Sequence, residues 1–286
     1  MKRKRTEHHQ GGRIIYNLPT SAYFKTDALN WSTLRNVVLK SPLHAHEYEI
    51  NPPEQTGAMR VGVLGHGVCL EPERLEQDIV IFDGASKRGN EWKEFCEANA
   101  GKEIITASEA EQLAAMAEAV HANKDAKALL TEGKREVTIL WNSPDYGAAK
   151  GRLDVYCPGT QIVDLKTVSD LSRCKDNFAR LLVHCQMGFY QVGIREITGA
   201  KDCLPVYIVA VEQQAPHDVQ IFEYDSEALS VGRDVSISAA KRYRECKNAN
   251  SYPGVCRDIT SLKLPTWMMA GDEPIALKIG GDSIEL

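Results

Sequence analysis

The segment Gly151–Thr167, GRLDVYCPGTQIVDLKT, sets Asp154, Asp164 and Lys166 close together in a pattern that could do phosphodiester chemistry. The runs Arg152–Cys157 and Gln161–Lys166 alternate polar with apolar residues, and Pro158-Gly159-Thr160 between them is a turn signal. Two antiparallel strands are the natural reading. If Cys157 pairs with Gln161, Asp154 falls opposite Asp164 and Arg152 falls opposite Lys166. Directly opposed side chains have Cβ atoms ~4.5–5.5 Å apart, where like charges destabilise a sheet. A divalent cation between the two carboxylates would convert that repulsion into coordination. Lys166 shares a face with Asp164 and would stand beside the ion, holding a water in its deprotonated form or offsetting charge on phosphorane-like oxygens. On these residues alone, a solvated polar face on an edge hairpin is an equal reading.

The surrounding chain reads as helices around a sheet. A helix is expected from Ser32, as its cap, to Leu39, ended by Ser41-Pro42, and another from Ala58 to Leu70, closed by Glu71-Pro72. Residues 79–82 read as a short strand. Ser108 and Glu111 have the spacing of a capping box, and the alanine-rich run that follows predicts an amphipathic helix to Leu130. Arg135–Trp141 reads as a strand beside the hairpin, and Leu171–Ile197 as one long helix. Leu204–Glu212 and Val219–Tyr224 read as further strands, and Ser226–Lys247 as a last helix. The fold class is therefore α/β, with helices against a central mixed sheet. Residues 1–12 are expected to be a flexible basic tail, 13–268 a single domain, and the Gly-rich, acidic stretch 269–286 a C-terminal tail.

Composition narrows the function classes. With 286 residues and 43% hydrophobic content, the chain can bury one substantial core without staples. No apolar run approaches the ~20 residues that cross a bilayer, and the basic start is followed by polar residues, so a soluble cytoplasmic protein is expected. The eight cysteines are scattered and read as reduced structural thiols. A net charge of −5 argues against a coat that binds nucleic acid by bulk charge, but it leaves room for a local basic channel. Gly62, Gly65 and Gly67 lack the order and setting of a dinucleotide loop, and Gly133-Lys134 lacks the rest of a phosphate loop.

The order Glu136, Asp154, Asp164-Leu165-Lys166 and then Gln186–Tyr190 (QMGFY) resembles the PD-(D/E)xK nuclease pattern. Upstream, Met59–Pro72 (MRVGVLGHGVCLEP) looks like the helix that supplies a histidine in the RecB-type branch of that superfamily. Ala28–Leu34 (ALNWSTL) and Lys40–His44 (KSPLH) are similar to the opening of the RecE-type exodeoxyribonuclease VIII domain of phages and prophages. Gly65 and Gly67 depart from the pattern, since such a helix usually carries better formers there.

The resemblance implies a restriction-endonuclease-like core acting as a metal-dependent 5′→3′ double-strand DNA exonuclease in recombination. It further implies a homo-oligomeric ring, a RecT-like single-strand annealing partner, double-stranded DNA ends as substrate and a bacterial host cytoplasm. Asp154, Asp164, His66 and the Leu165 carbonyl are the implied ligands of Mg²⁺, with Mn²⁺ as a second choice. Glu136 reads either as a ligand of a second cation through water or as a solvent-facing strand residue. Gln186 and Tyr190, four apart on one helix face, are implied to contact DNA, and Arg152 could clamp a phosphate. No iron–sulfur cluster is expected, because Cys246 and Cys256 are too far apart for the cluster pattern. A structure-selective or single-strand endonuclease, or a silent DNA-binding module on the same core, are the alternatives.

Overall fold

The computed structural model describes residues 5–53, 57–71, 79–84, 86–256, 259, 261–264, 276–279 and 282–285. In chain order, the hairpin β1 (Arg5–His9) and β2 (Gly12–Tyr16) precedes helices α1 (Thr20–Lys25), α2 (Trp31–Leu39), α3 (Pro42–Ile50) and α4 (Gly57–Leu70). β3 (Ile79–Phe82) and β4 (Glu103–Thr106) pair in parallel across α5 (Gly89–Ala98), and α6 (Ala107–Ala122) and α7 (Lys124–Thr131) follow. Three long strands, β5 (Lys134–Ser143), β6 (Gly147–Cys157) and β7 (Gln161–Val168), lead to α8 (Cys174–Arg180) and α9 (Val183–Thr198). The chain continues through β8 (Val206–Glu212), β9 (Val219–Glu223), α10 (Ser226–Ala249) and a hairpin of β10 (Ala276–Ile279) and β11 (Asp282–Glu285).

Among the described residues the main sheet has seven strands in the order β1-β2-β5-β6-β7-β8-β9. Only β7 and β8 run parallel. Both are buried on two faces, which is why β8 reads as a nearly continuous apolar run. Ile162, Ile208 and Ala210 belong to the core that includes α9 and α10 residues such as Phe189 and Tyr243. Val163, Leu165, Val209 and Val211 pack with Leu70, Met116 and Leu130 of α4, α6 and α7. Alternation along β7 therefore puts Asp164 and Lys166 on the Ile162 face, toward α9.

The elements differ from the sequence reading where short-range signals compete. Ser41-Pro42 does not merely stop α2, because Ser41 caps α3 by accepting from His44 N–H, with Pro42 in the first turn. Asn30 caps α2 in place of Ser32. The capping box uses Thr106 and Glu109, two residues earlier than Ser108 and Glu111. Asn123 then divides the expected helix, ending α6 and capping α7. The long helix over 171–197 is broken into a 3₁₀ turn, α8 and α9, with Leu182 in the left-handed conformation at the junction (φ 57°).

Nor is the basic stretch a free tail in its described part. Arg5–His9 pairs with β2 as the sheet edge, Tyr16 OH donates to Glu7 at 3.0 Å, and the Arg5 guanidinium lies over the Tyr16 ring. Strands β10 and β11 likewise occupy part of the expected C-terminal tail. Residues 1–4 and 269–275 lie outside the described residues.

Candidate active site

The site forms where β6 and β7 part. Their ladder runs Cys157↔Gln161, Tyr156↔Ile162 and Val155↔Val163, which is the register expected from the sequence, and its last pair lies one residue short of Asp154 and Asp164. There the Asp154 side chain takes over from the backbone, its Oδ2 accepting from the Leu165 N–H at 2.7 Å. A carboxylate thus replaces a ladder carbonyl, and the two acids need not face each other across a closed pair. It is the Leu165 N–H, not the carbonyl, that this contact uses.

Helix α4 delivers His66. The glycines that looked costly for a helix permit its close approach, since a Cβ on Gly65 would lie 2.8 Å from Met116 Cε and 3.3 Å from Thr167 Cγ2. So seated, His66 Nε2 lies 2.8 Å from Asp154 Oδ2, and its Nδ1 lies 3.9 Å from Glu136 Oε1. Glu136 sits between the paired residues Arg135↔Val155 and Val137↔Leu153 with φ 51°, a conformation a glutamate in a strand rarely adopts. The distortion falls at the β5 position that contributes to the cluster, a placement typical of functional sites.

On the other side of Asp154, Lys166 Nζ lies 2.5 Å from Asp164 Oδ2 and 3.4 Å from Gln186 Oε1. Gln186 donates in turn to Tyr190 OH at 3.1 Å. Both come from α9, which crosses α10 at backbone contact because Gly188 on α9 and Gly232 on α10 carry no side chains. Gly151 on β6 leaves room for the Tyr190 ring, where a Cβ would stand 2.8 Å from it.

Burial and neighbours set the charges. Burial alone would push the His66 imidazole down, but Asp154 outweighs it and the pKa rises to about 9. Burial would likewise raise Asp154, and His66 and Lys166 hold it below the ordinary carboxylate range. Asp164 is pushed up, chiefly by burial and further by the Asp154 charge, although Lys166 opposes the rise. Burial disfavours the Lys166 ammonium, but Asp164 and Asp154 more than compensate and keep it charged. Glu136 is raised by burial and by Asp154. Two neighbouring carboxyls with pKa values driven apart are the arrangement found where acid and base roles separate.

Ligand atoms of His66, Glu136 and Asp154 all lie within 4.8 Å of one another, a set that could hold a divalent cation. Asp164 Oδ2 is buried and, despite its ion pair with Lys166, has no well-formed hydrogen bond. A buried carboxylate oxygen left short of a donor is the donor type a hard cation takes, so the residues fit such an ion.

Arg152 departs from expectation. It pairs with Thr138 on β5 and not with Lys166, whose partner is Ala210 on β8. Its guanidinium donates to Leu18 O at 2.7 Å, Thr20 Oγ1 at 3.0 Å and Thr138 Oγ1 at 3.4 Å, and lies 3.6 Å from Glu136 Oε2. A fork this occupied is a strut between α1 and Glu136, not a phosphate clamp. Sequence reasoning also missed Lys150 and Tyr23, whose contacts across the chain have no local signal.

The PDDEXK-like domain of unknown function DUF3799 matches residues 37–265, most of the chain and every residue of the cluster. The chain belongs to this family. As a PDDEXK-like protein it carries the nuclease fold that the spacing of Asp154, Asp164 and Lys166 suggested. A candidate exonuclease from Eubacterium rectale is similar in fold, with a TM-score of 0.62 and 16% identity over 90% of this chain and 99% of that one. A phage-related exonuclease from Haemophilus somnus aligns over 80% of this chain and 99% of its own at 15% identity and a TM-score of 0.35. No curated protein matches the chain. No helix among the described residues is long and apolar enough to cross a membrane.

Proposed function

We propose that this PDDEXK-like protein is a metal-dependent deoxyribonuclease that hydrolyses DNA from an end. The single observation carrying this reading is the convergence of Lys166 on Asp164 at 2.5 Å and His66 on Asp154 at 2.8 Å, from a strand pair and a helix that share no local sequence. A cation held by His66, Asp154 and Asp164, with Glu136 and the Leu165 carbonyl as further ligands, would supply charge stabilisation and an acidified water. Mg²⁺ suits the carboxylates, and the imidazole makes Mn²⁺ acceptable.

The protein's own groups divide the remaining work. Lys166, kept cationic by two acids, holds the attacking water and offsets charge on the phosphoryl oxygens. Gln186 orients the Lys166 amine and is itself held by Tyr190, whose phenol burial keeps protonated. His66 and Leu165 N–H lock the Asp154 carboxylate in place. Polarity from 5′ to 3′, preference for duplex ends, a ring-shaped oligomer, a single-strand annealing partner and a bacterial cytoplasmic setting extend the proposal from the RecE-type resemblance. A single domain belongs to the same reading, with its expected start at residue 13 moved back to take in β1 of the main sheet.

The test is digestion of 5′- and 3′-labelled linear duplex and of covalently closed circles with Mg²⁺, Mn²⁺ or EDTA, beside Asp164→Ala. Loss of label from linear DNA alone, abolished by EDTA and by the substitution, is expected. Cleavage of closed circles would replace the exonuclease by an endonuclease on the same core. Full degradation by Asp164→Ala would overturn the assignment of the site.

A further inference from the structure

The main sheet ends in two open edges. Among the described residues no strand pairs beyond β1 on one side or beyond β9 on the other, and both strands are five residues long. The Tyr224 N–H bonds to Val206 O and the Glu212 N–H to Asp218 O, so alternation along the β8–β9 ladder turns the N–H and C=O groups of Val219, Ile221 and Glu223 away from β8. Such a row is a template for another strand, and proteins ordinarily blunt it with charge. Charge of one sign on both edges would keep copies of the chain apart. Here the signs are opposite.

Residues 1–13 hold five lysines and arginines against one acid, and Arg5 on β1 keeps its side chain 73% exposed beside its ion pair with Glu7. From Asp202 to Gly232, a span that contains β8 and β9, there are six acids and no lysine or arginine. Glu223 at the end of β9, and Asp225 and Glu227 just after it, are exposed. These three acids line a cavity of about 570 Å³ together with Phe178, Val231 and Lys175. A cavity of apolar walls and acids suits the stems of lysine and arginine, whose charged heads can reach the carboxylates. Pairing β9 with β9, or β1 with β1, would set like charges together, which leaves β1 against β9.

We propose that β1 of one copy pairs antiparallel with β9 of the next, joining copies of this chain head to tail through a continuous sheet. Strand direction agrees with this. Counted across the sheet, β1 and β9 run in opposite senses, so copies related by rotation about an axis along the strands meet antiparallel. That pairing sets the Arg5 end of β1, and the run Lys2-Arg3-Lys4 that precedes it in sequence, toward Glu223, Asp225 and Glu227. A contact between two different surfaces closes into a ring where the rotation allows. The idea rests on the functional reading for the ring and deepens it by naming the contact, while the edges themselves are independent of the nuclease chemistry.

The test sizes the full chain by sedimentation velocity over a range of concentrations at low and high salt. Wild type should exceed the mass of one chain and dissociate as salt screens the contact. Glu223→Arg and Arg5→Glu should each weaken assembly by roughly tenfold or more, through like charges placed across the contact. An equimolar mixture of the two variants should recover it, because each altered edge then meets its complement. Both side chains are exposed, so the variants retain the fold, checked by an unchanged thermal midpoint. Recovery in the mixture is a result that local loss of β1 could not produce. A wild-type oligomer unaffected by either substitution, or tightened by Glu223→Arg, overturns the β1–β9 contact and leaves the ring to another surface. A monomeric wild type overturns the contact and the ring together, and loss of DNA binding by Arg5→Glu would then give the basic strand to DNA. Neither result touches the cleavage assignment, which the digestion test decides.

Discussion

The Leu165 N–H donates to Asp154 Oδ2 at 2.7 Å, so the strand that carries Asp164 and Lys166 is tied at its midpoint to a side chain on β6. One bond thereby orients a candidate metal ligand and sets the spacing of the strands around it. Asp154→Asn keeps an acceptor for that N–H, whereas Asp154→Ala leaves a buried donor unmet. The alanine variant should be less stable than the asparagine variant by about 1–3 kcal/mol, read from urea unfolding, while both lose nuclease activity. Equal stability of the two would show that the bond does not carry the strand.

His66 is held by Asp154 on one ring nitrogen and approached by Glu136 on the other. His66→Ala should lower the affinity for Mn²⁺ by roughly tenfold or more in titration calorimetry, the scale seen when partners of metal ligands are removed. Affinity unchanged from wild type would remove the histidine from the ion site.

Lys166→Ala removes the amine that, among the described residues, pairs with Asp164. Turnover should fall by about 10²–10³, the usual loss for one donor to a developing oxyanion, with a much smaller change in KM. A change confined to KM would recast the lysine as a phosphate-binding group.

Gly65 marks a close approach of the histidine helix to Met116 and Thr167. Gly65→Val should cost about 1–3 kcal/mol through overpacking against Met116 and Thr167. In a double-mutant cycle, trimming Met116 to Ala should make that cost smaller, because the methyl group it removes is the nearest obstacle. Strict additivity would mean that α4 accommodates the change elsewhere.

Glu109 closes the capping box of α6 and receives Arg60 and Lys87. Burial would raise its pKa, yet the Thr106 N–H and these cations lower it from 4.5 to about 2. A depressed carboxylate contributes stability above its ordinary pKa, and that contribution is lost as pH falls from about 4.5 toward about 2. Unfolding midpoints across that window should fall more steeply for the wild type than for Glu109→Gln. Parallel curves would dissociate this carboxylate from acid sensitivity.

Much of the hairpin chemistry was legible in the order of residues. The alternation around Pro158-Gly159-Thr160 determined the register of β6 and β7, because side-chain period and turn length leave one pairing that keeps Val155 and Val163 inside. Acid-x-lysine spacing determined that Asp164 and Lys166 share a face. Helix ends were less legible, since Thr106 and Ser108 are both plausible caps and only packing selects between them.

By itself, then, the sequence determined which residues could form the ion site and on which strands they ride, because those properties follow from periods of two along a chain. Tertiary structure decided that His66 joins Asp154, that Glu136 turns into the cluster, and that Arg152 braces α1 where a phosphate clamp was expected. Each depends on surfaces brought together from distant segments: a glycine-lined helix against β7, a distorted strand residue, a helix fastened by Lys150 and Arg152. Such contacts are set by shape and burial, which local spacing does not encode.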